Sequence, residues 1–166
     1  MRYFLLPDTH LGHEKVMIKH CARKTGFEKS ILTNLMKTVN PGDMLIHMGD
    51  VSLGWSLREV QDYFNQVVCH KVLVLGNHDR HWSTSKWLTI FDAVFDAVWI
   101  KDVLISHQPR YPEGLNIHGH SHLGAESGWY MPDSCLLSLE ENQLHPINLE
   151  KVMSWREKRW NEVLNN

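Results

Sequence analysis

An α/β fold is predicted by three features of the chain: short apolar runs that each end in a polar cluster, helical spacings between them, and a second half made mainly of strand-like segments. Tyr3 to Leu6 is apolar and stops at Pro7-Asp8, as a buried first strand would. Phe27 to Val39 carries Ile31, Leu32, Leu35, Met36 and Val39 at helical spacing and is stopped by Asn40-Pro41-Gly42. Met44 to Met48 is the second strand. Ser56 can cap a helix through about Val67, with Glu59 placed for a capping box and Leu57, Val60, Phe64 and Val67 on one face. Lys71 to Leu75 is the third strand and ends at Gly76-Asn77-His78-Asp79. Alternating strands and helices, with polar residues at each strand's C-terminal end, describe a parallel sheet with crossover helices. Further on, Ala93 to Ile100, Val103 to Ser106, Leu115 to Ile117 and Cys135 to Leu139 read as strands. Tyr111 to Gly114 and Gly124 to Asp133 read as loops, and Leu149 to Leu164 as a closing amphipathic helix capped by Asn148.

The 166 residues contain no repeat, linker or low-complexity tract, so a single domain over residues 1–166 is expected. The N-terminal apolar stretch is too short for a secretory core or a membrane span, and a cytosolic protein is expected. Cys21, Cys69 and Cys135 are odd in number and widely spaced, which argues for reduced thiols rather than a disulfide framework or thiolate zinc site. A formal charge of -2 offers no broad basic footprint, which disfavours duplex nucleic acid as a partner. Twelve histidines are the compositional anomaly, because imidazole is the commonest metal ligand and titrates near neutral pH.

Their placement is more telling than their number. Asp8-Thr9-His10 sets two ligand-type side chains at i and i+2, on one side of an extended segment. Gly49-Asp50 ends the second strand, and a carboxylate there has two oxygens with which to bridge cations. Gly76-Asn77-His78-Asp79 ends the third strand, Ser106-His107 ends a later one, and Gly119-His120-Ser121-His122 adds two imidazoles at i and i+2. Asp8, Asp50 and Asn77 each lie just beyond a parallel strand, the edge where such sheets gather active sites.

This ordered set resembles the calcineurin-like metallophosphoesterase superfamily over Asp8 to His122, and the stretch from Asp8 to Phe27 is similar to a group of small single-domain bacterial and phage metallophosphatases. Two departures stand out in that stretch: Leu11 where the group has Phe, and Lys24-Thr25-Gly26-Phe27 where it has Pro-Phe directly after the arginine. The resemblance implies a four-layer α-β-β-α sandwich of two facing mixed sheets flanked by helices. It further implies two divalent cations, one on Asp8, His10 and His122 and the other on Asn77, His107 and His120, with Asp50 between them and a bridging hydroxide attacking phosphorus in line. Such mixed nitrogen and oxygen ligands suit manganese, the ion expected here, as well as iron, nickel or zinc. His78 corresponds to a non-ligand histidine that hydrogen-bonds phosphate or protonates the leaving group. Related protein phosphatases carry its acidic partner where this chain has Leu53, which leaves Asp79 as the replacement candidate. His13 and Arg23 are candidate substrate contacts, Arg23 through bidentate guanidinium bonds.

Other residues have plainer readings. His118 and His47 read as core or supporting groups, and His20, His70, His81 and His145 as surface residues. Trp155 and Trp160, with Val152, Val163 and Leu164, read as the packed side of the last helix. Trp55, Trp82 and Trp129 fall in loops near ligand motifs and are candidates to wall a substrate pocket. The expected substrate is a small, nucleotide-like phosphodiester, since the chain has no room for the cap domains that grip larger partners. A phosphomonoesterase is the alternative, followed by a nuclease on single strands and a non-catalytic scaffold. Oligomeric state is left open.

Overall fold

The computed structural model describes residues 1–111, 113–122, 128–131 and 133–164, with the side chains of 128–131, 159, 160 and 162–164 left aside. Strands β1 (Tyr3–Leu6), β2 (Met44–His47), β3 (His70–Val74) and β4 (Ala93–Phe95) lie side by side and parallel, and β10 (Ile147–Asn148) adds antiparallel to β1. A second sheet has the order β5 (Ala97–Ile100), β6 (Val103–Ser106), β7 (Leu115–His118), β9 (Ser134–Leu136), β8 (Gly128–Met131). Both sheets mix parallel and antiparallel pairs, and helices flank them.

Period-two alternation explains why the first-sheet strands are mainly apolar, with His70 and Lys71 confined to the start of β3 and His47 to the end of β2. Phe4, Leu6, Leu45 and Leu73 face one cluster, formed with Phe27, Ile31 and Leu35 of α2 (Phe27–Thr38), Val60 and Phe64 of α3 (Leu57–Phe64), and Trp87 of α4 (Thr84–Trp87). Leu5, Ile46, Val72 and Val74 face the other way, against Val103 and Ile105 of β6, Ile117 of β7 and Cys135 of β9. Strands covered on both faces leave little place for polar residues until the chain leaves the sheet, His47 at the end of β2 being the buried exception. That puts every polar cluster at a strand end. Leu149 and Val152 of α5 (Leu149–Leu164) join the cluster between the sheets, and Trp155 packs beside them.

Local signals hold at the caps. Ser56 and Glu59 form a reciprocal capping box at α3, and Asn148 Oδ1 accepts from Glu150 N at 2.8 Å to open α5. Elsewhere tertiary pairing overrides the local reading. The run from Ala93 to Ile100, expected as one strand, is two, because β4 pairs with β3 and β5 with β6, so the chain changes sheets at Asp96. Part of the expected loop at 124–133 is strand β8, held by pairing with β9; residues 124–127 and Pro132 lie outside the described residues. Helix α1 (Glu14–Cys21) has only Met17 and Cys21 buried, too narrow an apolar stripe to read in advance, and it ends at Ala22 in the left-handed region. Among the described residues no helix is long and apolar enough to cross a membrane.

The start of β1 is pinned by Arg2, whose Nε and Nη2 donate to Asp43 at 3.1 and 2.6 Å while its backbone N–H donates to the same carboxylate. The Arg2 side chain first, and the Asn40 and Arg2 backbone donors with it, hold the Asp43 carboxyl at about 2, below its ordinary 3.8. A depressed folded-state value means that this contribution is complete above pH 3.8 and is lost as pH falls toward about 2. Urea midpoints measured across that window are expected to fall more steeply for the wild type than for Asp43→Asn; parallel curves would show that the pair carries no pH-dependent stability.

Candidate metal centre

The loops after β1, β2 and β3 and those after β6 and β7 meet at the C-terminal edges of the two sheets. They are stitched together by backbone bonds from Asp8 N to Gly49 O (3.2 Å), His10 N to Asp50 O (2.9 Å), Leu11 N to Val51 O (2.9 Å) and Gly119 N to His107 O (3.0 Å). Asp8, His10, Asp50 and His120 all have positive φ, between 49° and 73°, a conformation that costs a non-glycine residue roughly 1 kcal/mol or more. Neighbouring glycines admit the close approach. A Cβ on Gly76 would run into the Asp50 carboxylate, and one on Gly119 would sit 2.5 Å from Asp8 Oδ2. Glycine in the Gly76-Asn77 and Gly119-His120 motifs is thus a space requirement.

Two sets of donors converge there. Asp8, His10 and His122 bring ligand atoms within 4.8 Å of one another, and so do Asp50, His107 and His120. His107 Nε2 lies 2.9 Å from Asn77 Oδ1, 3.0 Å from His120 Nδ1 and 3.4 Å from Asp50 Oδ2. Asp50 Oδ2 is also 3.6 Å from His10 Nε2, so it stands between the sets. Asp8, His10, Asp50 and His107 are buried, whereas Asn77, His78 and His120 are exposed and His122 is half-buried, leaving one side open.

Tautomers make the convergence chemically specific. His107 Nδ1 is 3.0 Å from the Met48 carbonyl, which can only accept, so the proton sits on Nδ1 and the Nε2 lone pair faces Asn77 Oδ1 and Asp50 Oδ2. His122 Nδ1 lies 3.2 Å from Glu140 Oε1, so that in the neutral ring the Nε2 lone pair faces His10 Nε2, 3.2 Å away; against the opposing effect of burial, the Glu140 bond and the Asp8 and Glu140 charges raise this imidazole's pKa. Asp8 Oδ1 is buried with no hydrogen-bond partner. Ring nitrogens, an amide oxygen and carboxylate oxygens crowded around an orphaned carboxylate oxygen fit a pair of cations. Burial pushes the Asp8 carboxyl up to about 8, and burial together with the neighbouring His122 pushes the His10 imidazole down to about 2. The neutral imidazole is the ligand form, and a cation is what would hold the carboxylate ionised.

Supporting groups depart from the sequence reading in informative ways. Asp79 is fully buried and does not serve His78: its carboxylate accepts from Asp50 N, Val51 N and Gly76 N, each at 2.8 Å. Burial raises its carboxyl to about 6 against the pull of those donors. It clamps the Asp50 loop to the Asn77 loop. Arg23, expected at the substrate, is buried; it donates to Thr9 O at 2.7 Å and Asp8 O at 2.6 Å, and pairs with Glu140 at 2.7 Å. Its side chain is only 1% exposed, so a substrate phosphate has no access to it. His13 does reach the rim, 6.2 Å from the His10 ring, with a buried Nδ1 that has no hydrogen-bond partner. His78 sits at the open side, its ring 5.7 Å from that of His10 and its backbone N–H on Asp50 Oδ1 at 3.0 Å.

Glu140 is the functional residue that sequence reasoning misses. It links His122, Arg23 and Ser138 Oγ, yet it lies in a polar turn with no motif. Arg23, His122 and the other contacts hold its carboxyl at about 2 although burial opposes this. Cys21 also approaches Glu140 and His122, but burial raises its thiol, which disfavours the thiolate a metal would need. His47 is a supporting group: Gly49 N–H donates to its Nδ1 at 3.2 Å, which puts the proton on Nε2, 2.8 Å from Thr9 Oγ1. His118 is buried on β7, with Nδ1 against Gly119 O, and takes no ligand position. Trp55 packs on Tyr63 and Trp82 on Trp87, so both belong to the margin of the helix-side core rather than to a pocket wall. The side chains of Trp129 and Trp160 lie outside the described residues.

A family model described as calcineurin-like phosphoesterase matches residues 1–162. Among solved structures, the chain is similar to AQ665, a protein of unknown function from Aquifex aeolicus, with 26% identity and a TM-score of 0.71 over 92% of this chain and 98% of that one. It also shares its fold with the nuclease MPE of Pseudomonas putida, with 21% identity and a TM-score of 0.54 over 72% of this chain and 60% of that one. No curated protein matches it.

Asp79→Ala would strand three buried backbone N–H groups and is expected to cost about 3 kcal/mol in denaturant unfolding. A loss below about 1 kcal/mol would show that water replaces the clamp.

Proposed function

Because the chain belongs to the calcineurin-like phosphoesterase family and is a metal-dependent phosphoesterase, we propose that it is a phosphodiesterase acting on small nucleotide-like diesters in the cytosol, with manganese as its cation. The observation that supports its metal-dependent core is the convergence of His107 Nε2 with Asn77 Oδ1 and His120 Nδ1, and of His122 Nε2 with His10 Nε2, beside a carboxylate shared between two donor sets. Asp8, His10 and His122 would hold one ion and Asn77, His107 and His120 the other, with the Asp50 carboxylate shared between the two sets. Two divalent ions there supply water of lowered pKa and positive charge for the phosphoryl oxygens. Mixed imidazole, carboxylate and amide donors without thiolate suit manganese as they do iron, nickel or zinc, and manganese is the ion we propose. Three unpaired cysteines suit a reducing compartment.

The chain's own residues do the remaining work. Exposed Asn77, His78 and His120 leave the centre open on the side from which a diester arrives, with no described element covering it. Water, giving up a proton to solvent, forms the new P–O bond as the ester P–O bond breaks in line, and His78 hydrogen-bonds the phosphate, passes its proton to the departing alkoxide and recovers one from solvent. His13, at the rim beside His10, is placed to touch the same phosphate.

Purified protein reconstituted with manganese is expected to hydrolyse aryl phosphodiesters faster than aryl monoesters; the reverse order would replace the diesterase reading with a phosphomonoesterase. His78→Asn is expected to lower kcat about 100-fold or more with bound manganese unchanged, and full activity would remove its acid role. Asp50→Asn is expected to reduce retained metal at both positions by elemental analysis, and unchanged stoichiometry would refute the shared carboxylate.

A further inference from the structure

We infer that the substrate carries a second phosphate, received by Arg80 and Arg110 in a pocket that opens directly off the metal centre. This rests on the phosphodiesterase reading and adds a recognition element to it. The pocket has a volume of about 190 Å³, and its lining includes Asn77 and His107 at one end and Arg80, Asp96, Gln108 and Arg110 at the other. Two proposed ligand residues thus form its inner wall. An anion seated there lies beside the phosphate being cleaved.

The pocket is built on fixed backbone. Arg80 follows Asp79, whose carboxylate is clamped by three backbone donors, in the 3-10 turn His78–His81. On the opposite wall, buried Asn116 accepts from Arg110 N at 2.8 Å and donates to Leu104 O and Ser106 Oγ, while Ser106 Oγ donates to Gln108 O at 2.7 Å. These bonds hold the loop from Ser106 to Arg110. Both arginine side chains remain exposed at the mouth, in contrast to Arg23, which is sealed beneath the ligands. A guanidinium presents paired donors that match a phosphate, and two of them flanking one small polar cavity define an oxyanion site.

Asp96 is their present partner. Arg80 Nη2 lies 3.0 Å from Asp96 Oδ1, and Arg110 Nη2 donates to the Asp96 carbonyl at 3.1 Å. The Arg80–Asp96 pair is solvent-exposed, with side chains 66% and 64% accessible, so little energy opposes exchanging that carboxylate for a phosphate. Asp96 is then a competitor that holds the guanidiniums ready.

Isothermal titration of the manganese-loaded protein with thymidine 3′,5′-bisphosphate, thymidine 5′-diphosphate and thymidine 5′-monophosphate tests this without requiring turnover. Wild type is expected to bind one of the two-phosphate compounds about tenfold or more tightly than the monophosphate, and which one identifies the spacing between the phosphates. Arg80→Gln/Arg110→Gln should bring all three within about twofold, and Asp96→Asn, which frees Arg80, should widen the wild-type preference. No wild-type preference, or one that survives the double substitution, would overturn the subsite while leaving an observed aryl diester activity untouched. A preference lost in the double variant of a protein that cleaves no aryl diester would uphold the subsite and sink the diesterase reading instead.

Discussion

Everything at this site depends on forcing hydrogen-bond acceptors to face one another out of bulk water. Left alone, imidazole nitrogens, carboxylate oxygens and an amide oxygen would each seek a donor. Here most donors are spent elsewhere: the Met48 carbonyl claims the Nδ1 proton of His107, Glu140 claims that of His122, and N–H groups of the Asp50 and Asn77 loops go to Asp79, leaving one backbone N–H each for Asp50 and Asp8. What remains is an array of lone pairs. Backbone at positive φ in Asp8, His10, Asp50 and His120 is part of the same cost, borne because the surrounding bonds over-determine the loops.

The fold makes that cost sustainable. A parallel sheet covered on both faces has rigid strands whose C-terminal ends leave the hydrophobic layer together, so the first three donor-bearing loops emerge side by side. The second sheet, entered at Asp96 and left again between β9 and β10, brings the later histidines to the same edge. Arg23 and Glu140 close the underside as a buried ion pair between the Asp8–Thr9 carbonyls and His122. Such a pair is costly to desolvate, and its return is geometric: it fixes two ligand segments that are far apart in the chain.

Much of this is legible in the amino-acid sequence. Parallel strands were readable because burial on both faces demands unbroken apolar runs, and the motifs were readable because ligands must leave those runs at their ends. Ser56-Glu59 and Asn148 announced their helix starts through side-chain chemistry acting within a few residues. What escaped depended on distant closure. Ala93 to Ile100 looks like one strand because nothing local marks Asp96 as the point of departure. Asp79 and Arg23 have motif positions that invite catalytic or substrate roles, and only the three-dimensional hydrogen-bond ledger shows them occupied in holding loops. Glu140 had no neighbouring signal at all.

Because four of the converging donor residues, Asp8, His10, Asp50 and Asn77, follow strands of one sheet and His107, His120 and His122 follow strands of the other, the seam between the sheets is functionally part of the centre. Residues such as Ile46, Val74, Ile105 and Ile117 touch no ligand, yet they set the offset between the two half-shells. A chimera grafting one sheet onto a relative's other sheet would therefore have to transplant that apolar seam along with the ligands, or the two halves would meet out of alignment.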